Sequence, residues 1–453
     1  MNTKTLFART SILTLLLFCN PLFQIAFAQS WSPLGAGIDS SVYALAFSGD
    51  NLYAGGTFRM AGGQSASNIA MWNDTAWSPL GSGVNSGVFS LSPIGSKLYV
   101  GGNFTNAGGT AVNYIAGWNG TTWSTVGTGL NSYVNCSAVI GTDLYVAGNF
   151  TMAGGASANY IAKWDGTNWS SLGSGLDSAV NVITVSGTNV YAGGHFTTAG
   201  GVPVNNVAKW DGTSWSALGK GVNGAVETLT MVGSDLYVGG IFDTAGTIYA
   251  DWIAKWDGSV WSPLGQGVNY VPLALVADST SLCVGGAFTY AGGSPANYIA
   301  GWNGTSWSTL GSGMAGTTCG PLTAPVVEAL AVHGKDLYAA CNFTSAGGVP
   351  TINIAKWSGT PSGIEENTRT TGLTISPNPN NGIFQIALKG TTGQQTEIAV
   401  FDLVGKQVYT ETQTNSGHGA LTRNIDLSAC PKGMYFVRVR DGGDVNTCKI
   451  VVQ

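Results

Sequence analysis

Asn68-Ile69-Ala70-Met71-Trp72-Asn73-Asp74-Thr75-Ala76-Trp77-Ser78-Pro79-Leu80-Gly81 decides the fold, because both of its tryptophans recur at a fixed interval. Trp31, Trp77, Trp123, Trp169, Trp215, Trp261 and Trp307 lie 46 residues apart. Trp72, Trp118, Trp164, Trp210, Trp256 and Trp302 keep the same interval, and Trp357 follows nine residues late, so the last repeat carries an insertion. Upstream of the quoted stretch lie two more apolar runs, Val42 to Phe47 and Leu52 to Gly56, separated by a turn at Gly49-Asp50-Asn51. A Gly-rich loop, Ala61-Gly62-Gly63, leads back to Asn68. Each repeat therefore predicts four short strands, a, b, c and d, which is the pattern of one β-propeller blade. The rival is a β-solenoid, whose turns are usually shorter.

Strand count predicts closure. The chain enters its repeats with a lone d strand (Trp31 to Ile38) and leaves them with a lone c strand (Ile352 to Trp357). Pairing these two would complete a seventh blade and remove the open edges that a solenoid has to cap. Between c and d, later repeats read Asn119-Gly120, Asp165-Gly166, Asp211-Gly212, Asp257-Gly258 and Asn303-Gly304. Asx-Gly predicts a two-residue type I′ hairpin. That register sets Trp72 opposite Thr75 and Ala70 opposite Trp77, with both indoles on one sheet face.

Composition agrees with a strand-rich exported chain. Of 453 residues only 9% are charged, 44% are hydrophobic and 67 are glycine. The apolar share is enough for a core. Net charge is −5 and no basic patch is present, which argues against nucleic acid. Lys4 and Arg9, the apolar run Ser11 to Phe18 and Ala26-Phe27-Ala28 predict a signal peptide over residues 1–28, cleaved between Ala28 and Gln29. A membrane anchor is the alternative, but the run is short and is broken at Cys19-Asn20-Pro21. No transmembrane segment is expected after its removal. Cys136, Cys283, Cys319, Cys341, Cys430 and Cys448 then remain, none in a Cys-x-x-Cys pair that would hold zinc.

The repeats resemble the kelch family in Gly101-Gly102 and Gly239-Gly240 closing strand b, and in an aromatic followed by Trp in the c–d hairpin. The resemblance spans Trp31 to Gly359 and implies a seven-bladed propeller. Kelch blades usually carry Tyr where this chain has Trp72, and their hairpin is longer.

The 46-residue pattern fills residues 29–358. A polar linker follows at 359–372, then alternating runs over 373–453 that predict a small β-sandwich. Ser376-Pro377-Asn378-Pro379-Asn380-Asn381-Gly382, Phe401-Asp402-Leu403-Val404-Gly405-Lys406, Lys432-Gly433-Met434-Tyr435-Phe436-Val437 and Lys449-Ile450-Val451-Val452 resemble, in order, the C-terminal sorting domain (type A) of the type IX secretion system. The resemblance implies handling by that machinery, removal of the domain, and a protein released from or displayed on a bacterial outer membrane. The alternative is a purely structural Ig-like module.

Enzyme classes that use propellers find little support. Copper oxidases resembling kelch propellers need several His and Tyr ligands, and this region holds only His195 and His333. Sialidases clamp a carboxylate with three arginines; here the region holds Arg59 alone. Glycosidases need two carboxylates about 5–10 Å apart. Most acidic residues lie in turns, but Glu227 and Glu328 share one position, the second residue of strand a. Around the repeats that position reads Tyr43, Phe89, Asn135, Asn181, Glu227, Leu273 and Glu328, while its neighbour reads Val42, Val88, Val134, Val180, Val226, Pro272 and Val327. The near-constant position should be core. The varying one should line a wet surface at the mouth of the central channel, either as a ligand site (Tyr43, Phe89, Asn135, Asn181, Glu227, Glu328) or as channel filler.

Asp39, Asn85, Asn131, Asp177, Asn223 and Asn269 form a further ring in the d–a loops, read as Asx residues bonding their own backbone in preference to calcium ligands. In the seventh repeat Cys319 falls in the insertion and Cys341 replaces the final Gly of strand b, so a Cys319–Cys341 disulfide is expected to staple the closure. The resulting expectation is a secreted or surface binding module for a glycan or protein, without metal or cofactor. A glycan-active hydrolase or lyase and a structural spacer are the alternatives.

Overall fold

A computed structural model describes residues 30–278, 281–317, 324–358, 373–378, 380–391, 395–402, 406–414, 419–441 and 444–452. The expected leader with its cleavage site at Ala28 and Gln29, Cys319, and residues 359–372 lie outside the described residues. Among the described residues every regular element is a strand. The chain divides into two compact units, Met1–Ser362 and Gly363–Gln453.

In the first unit each repeat folds as the apolar runs predict. Strands a (Val42–Ser48), b (Asn51–Gly56), c (Ile69–Trp72) and d (Trp77–Pro79) form one antiparallel sheet in that order. Five more repeats give the same sheet. In the seventh, Val326–His333, Asp336–Asn342 and Ile354–Ser358 supply a, b and c, and the N-terminal Ser30–Pro33 supplies d, with Trp31 opposite Trp357. Among the described residues this unit therefore holds seven four-stranded antiparallel sheets, an arrangement consistent with a propeller.

Tryptophan joins neighbouring sheets. Trp77 Nε1 donates to Leu34 O (2.9 Å), which follows the d strand of the preceding sheet. Trp123, Trp169, Trp215, Trp261 and Trp307 repeat the bond, each to a carbonyl 43 residues upstream. Trp31 Nε1 reaches Leu310 O in the same way (3.0 Å). Strand a of each sheet packs on strand a of the next, and Val326–His333 packs on Val42–Ser48. The close approach explains the Gly pair ending strand b. A Cβ on Gly55 would overlap Val88 of the next sheet, and one on Gly56 would overlap Ser41 O.

The c–d hairpin differs from the expected register. Trp72 lies opposite Trp77 and Ala70 opposite Pro79, across a four-residue loop. The Asx side chain closes this loop: Asp211 Oδ1 accepts from Thr213 N and Ser214 N, both at 2.8 Å. Only the second loop residue has positive φ (Gly212, +102°), so the type I′ condition of two such residues is not met. The indoles still share a face and now touch directly, with ring centroids 5.2–5.5 Å apart in every repeat.

In the second unit, a three-stranded sheet (Leu373–Ser376, Ile383–Thr391, Gly419–Asp426) and a four-stranded one (Gln395–Phe401, Gln407–Thr414, Gly433–Asp441, Asp444–Val452) share one core that includes Phe384, Ile386, Ile425, Val400, Val437 and Ile450. Two antiparallel sheets on one core are consistent with the expected β-sandwich.

Candidate functional site

In strand a of every repeat the pairing skips one residue. Val42 pairs with Gly56 and Ala44 with Gly55, leaving Tyr43 as a bulge. The same bulge falls on Phe89, Asn135, Asn181, Glu227, Leu273 and Glu328. A bulge frees one side chain from the ladder and re-aims it. The residue before it stays in the core: Val42, Val88, Val134, Val180, Val226 and Val327 are fully buried. This bulge is the local reason why one position is held constant and the next is free to vary.

All seven bulge residues line one cavity of about 550 Å³. The structure thus brings together every residue singled out from the sequence, Tyr43, Phe89, Asn135, Asn181, Glu227 and Glu328, with Leu273 between the two glutamates in repeat order. Seven of the lining residues, among them Tyr43, Phe89 and Glu328, also border an adjoining space of about 280 Å³. Ser90 lines that second space, 6% exposed, and its hydroxyl has no hydrogen-bond partner.

The wall has two characters. Tyr43 and Phe89 meet at a ring distance of 5.7 Å, and Tyr133 continues this aromatic arc, 40% exposed. Opposite in chemistry are the amides and carboxyls. Asn135 Nδ2 donates to Val180 O (2.9 Å) and Asn149 Oδ1 (3.0 Å). Asn181 Nδ2 donates to Val226 O and Glu227 Oε2, both at 3.1 Å. Burial raises the Glu227 carboxyl above the ordinary carboxylate range, opposed by the nearby His195 charge and the Asn181 bond. Burial raises Glu328 as well, opposed by a bond from Cys341. The Cys341 thiol is held well above its usual value by burial, and then by the charge of Glu328. Burial likewise raises Cys136, so neither thiol is set up as a nucleophile.

Sequence reasoning missed Tyr133, Thr228 and Ser90. Tyr133 was detectable: its equivalents Ser41, Gly87, Ala179, Ala225 and Val271 vary as freely as the bulge ring does. The d–a ring serves a purpose other than the one expected. Asp39 Oδ1 accepts from Arg59 N and Met60 N, and Asn85, Asn131, Asn223 and Asn269 bond the equivalent amides 20 and 21 residues downstream. These side chains tie the d–a loop to the b–c hairpin instead of to their own turn. Among the described residues no group of three or more His, Cys, Asp or Glu is placed to hold a metal ion.

In the second unit the Asn-rich motif pins the terminal strand. Asn378 Oδ1 accepts from Val451 N, and Asn380 N donates to Val451 O, both at 2.9 Å. Asn380 Oδ1 in turn accepts from Gly382 N, and Gly382 has φ +99° with Ser428 against the place of a Cβ. The first and last of the four sequence blocks are therefore one structural feature. Residues 374–453 match the secretion system C-terminal sorting domain. The domain marks proteins secreted by the type IX system to the extracellular space or the cell surface, which places this chain there. No curated protein matches the chain. Among the described residues no helix is long and apolar enough to cross a membrane.

Proposed function

We propose that this chain is an exported, seven-bladed, kelch-like β-propeller whose mouth cavity binds a glycan without cleaving it. One observation carries the reading. Seven bulge residues, differing in chemistry while their neighbours stay alike, converge on one cavity with an aromatic side and a hydrogen-bonding side. Sugars present both an apolar C–H face and hydroxyls, so this pairing suits them. Closure of the ring is supported by Ser30–Pro33 completing the last sheet and by the seven Trp-to-carbonyl bonds. In this reading residues 1–28 are removed as a signal peptide, 29–358 form the propeller, and 359–372 link it to the sorting domain. The type IX machinery is its partner during export, and no cofactor takes part.

A hydrolase is the second reading, favoured by one observation: both Glu227 and Glu328 line the cavity with raised carboxyls, the state a general acid requires. The test is a glycan array probed with the exported protein, followed by recovery and sizing of the bound glycans. Intact glycans support the binding module. Shortened glycans, abolished by Glu227→Gln or Glu328→Gln, would establish the enzyme instead. No bound glycan at all would refute both.

A further inference from the structure

The cavity wall has used its amide donors internally. Both N–H groups of the Asn135 amide, and both of Asn181, go to protein acceptors, so each turns only its carbonyl oxygen to a ligand. Glu227 and Glu328 add carboxyl oxygens to the same wall. Among the described residues no Lys or Arg lines the cavity, and neither glutamate is ion-paired with one. His195 is exposed and acts electrostatically on Glu227. The rest of the wall comprises Cys136, Val182, Thr228 and Leu273 together with the aromatic rings of Tyr43, Phe89 and Tyr133, whose faces carry negative quadrupole charge. Acceptor oxygens, carboxyls and π-faces share one electrostatic sign.

We propose that the ligand of this cavity is an amine-bearing sugar chain, its ammonium groups held by Glu227 and Glu328 and its ring faces by Tyr43 and Phe89. This rests on the glycan reading above and narrows it to one chemical class. Two half-buried carboxyls without a lysine or arginine partner carry charge that a cation in the cavity would neutralise. A neutral sugar brings those carboxyls no counter-charge, and a sugar acid would be repelled by them. Among the described residues the Ser90 hydroxyl is a buried polar group of the adjoining space that lacks a partner, and it marks where a ligand hydroxyl can end.

The experiment is isothermal titration of the exported full chain with three probes: a glucosamine tetramer, its N-acetylated counterpart, and a lysine tetrapeptide. The two tetramers share a backbone and differ in charge. The expected result is binding of the glucosamine tetramer at least tenfold tighter than the other two. Glu227→Gln and Glu328→Gln should each cut that affinity by about tenfold, which is about 1.4 kcal/mol. Tyr43→Ala should weaken it in a variant that keeps both carboxyls. Melting temperatures of the variants at or above wild type exclude misfolding as the cause. Equal binding of both tetramers, unmoved by the Gln variants, would overturn the amine assignment while leaving the glycan reading standing. Preference for the lysine peptide would overturn both in favour of a protein ligand, and silence toward every sugar here and on the array would overturn both outright.

Discussion

If the seven sheets close into a ring, Trp31 should matter as much as any interior tryptophan, although it lies in the first described strand. It is 4% exposed, packs on Trp357 at 5.2 Å, and donates from Nε1 to Leu310 O at 3.0 Å. Trp31→Ala removes a buried indole, a change that costs about 3–5 kcal/mol in well-packed cores. It also strips a buried carbonyl of its donor, which adds about 1–3 kcal/mol. The expected loss is therefore about 4–6 kcal/mol, since part of the second term is contained in the first. Trp31→Phe keeps most of the ring and isolates the bond, at about 1–3 kcal/mol. Trp215 is the internal reference: 5% exposed, with the same bond to Leu172 O at 2.9 Å, inside a sheet made from one continuous stretch of chain. Urea denaturation followed by far-ultraviolet circular dichroism measures all three variants, with unchanged slopes required for the comparison. A loss below about 0.5 kcal/mol for Trp31→Ala, the range of ordinary surface changes, beside a full loss for Trp215→Ala, would show that the N-terminal strand does not close the ring.

Other consequences follow from the same packing and electrostatics. Gly55→Ala should destabilise by about 1–3 kcal/mol through overpacking against Val88, and Val88→Ala in the same chain should recover part of that loss in a double-mutant cycle. Glu227→Gln and Glu328→Gln should raise stability at pH 7, because burial lifts both carboxyls above their unfolded values. For such groups the stability is fully present below the unfolded pKa of about 4.3 and is lost as pH rises through the folded one, so the advantage of Gln should vanish on acidification. Thermal melts from pH 3.5 to 7.5, on the order of the window that spans these values, check this; a constant offset would contradict it. Asp211 behaves oppositely, since two backbone N–H groups lower its carboxyl. Its contribution should be present above the unfolded value and fall away in acid, and Asp211→Asn, which keeps the acceptor oxygen, should flatten that part of the pH profile.

How much of this was legible depended on whether the determining contact is local. The tryptophan spacing exposes the repeat because in six repeats the indoles meet directly across one hairpin and reach the neighbouring sheet at a constant offset. The lone d and c runs at the two ends anticipate the mixed last sheet for the same reason: Trp31 carries the repeat's own signal. The c–d register was misread because an Asx side chain can do locally what two positive-φ residues would do with backbone. Asn73 or Asp211 bonds the amides two and three residues on, so a four-residue loop carries the Asx-Gly spelling of a two-residue one. The d–a ring was misread because its partners are 20 residues downstream, and nothing in the sequence of Asp39 names Arg59 or Met60 as its donors.

The ring that lines the cavity was legible by comparison of repeats alone, and the bulge explains why. A residue paired in the ladder must suit its partner in every copy, whereas a bulged residue answers to the cavity it enters. Variation among copies can then accumulate there without changing any sheet. Its order is itself informative: Tyr43 and Phe89, then Asn135 and Asn181, then Glu227, Leu273 and Glu328. Adjacent carboxylates would raise one another and favour sharing a proton. Leu273 stands in the repeat between them, and each carboxyl responds to its own neighbour, Asn181 and His195 on one side and Cys341 on the other. An arrangement in which each acid is tuned separately fits two points of attachment along one extended ligand better than a single coupled acid pair.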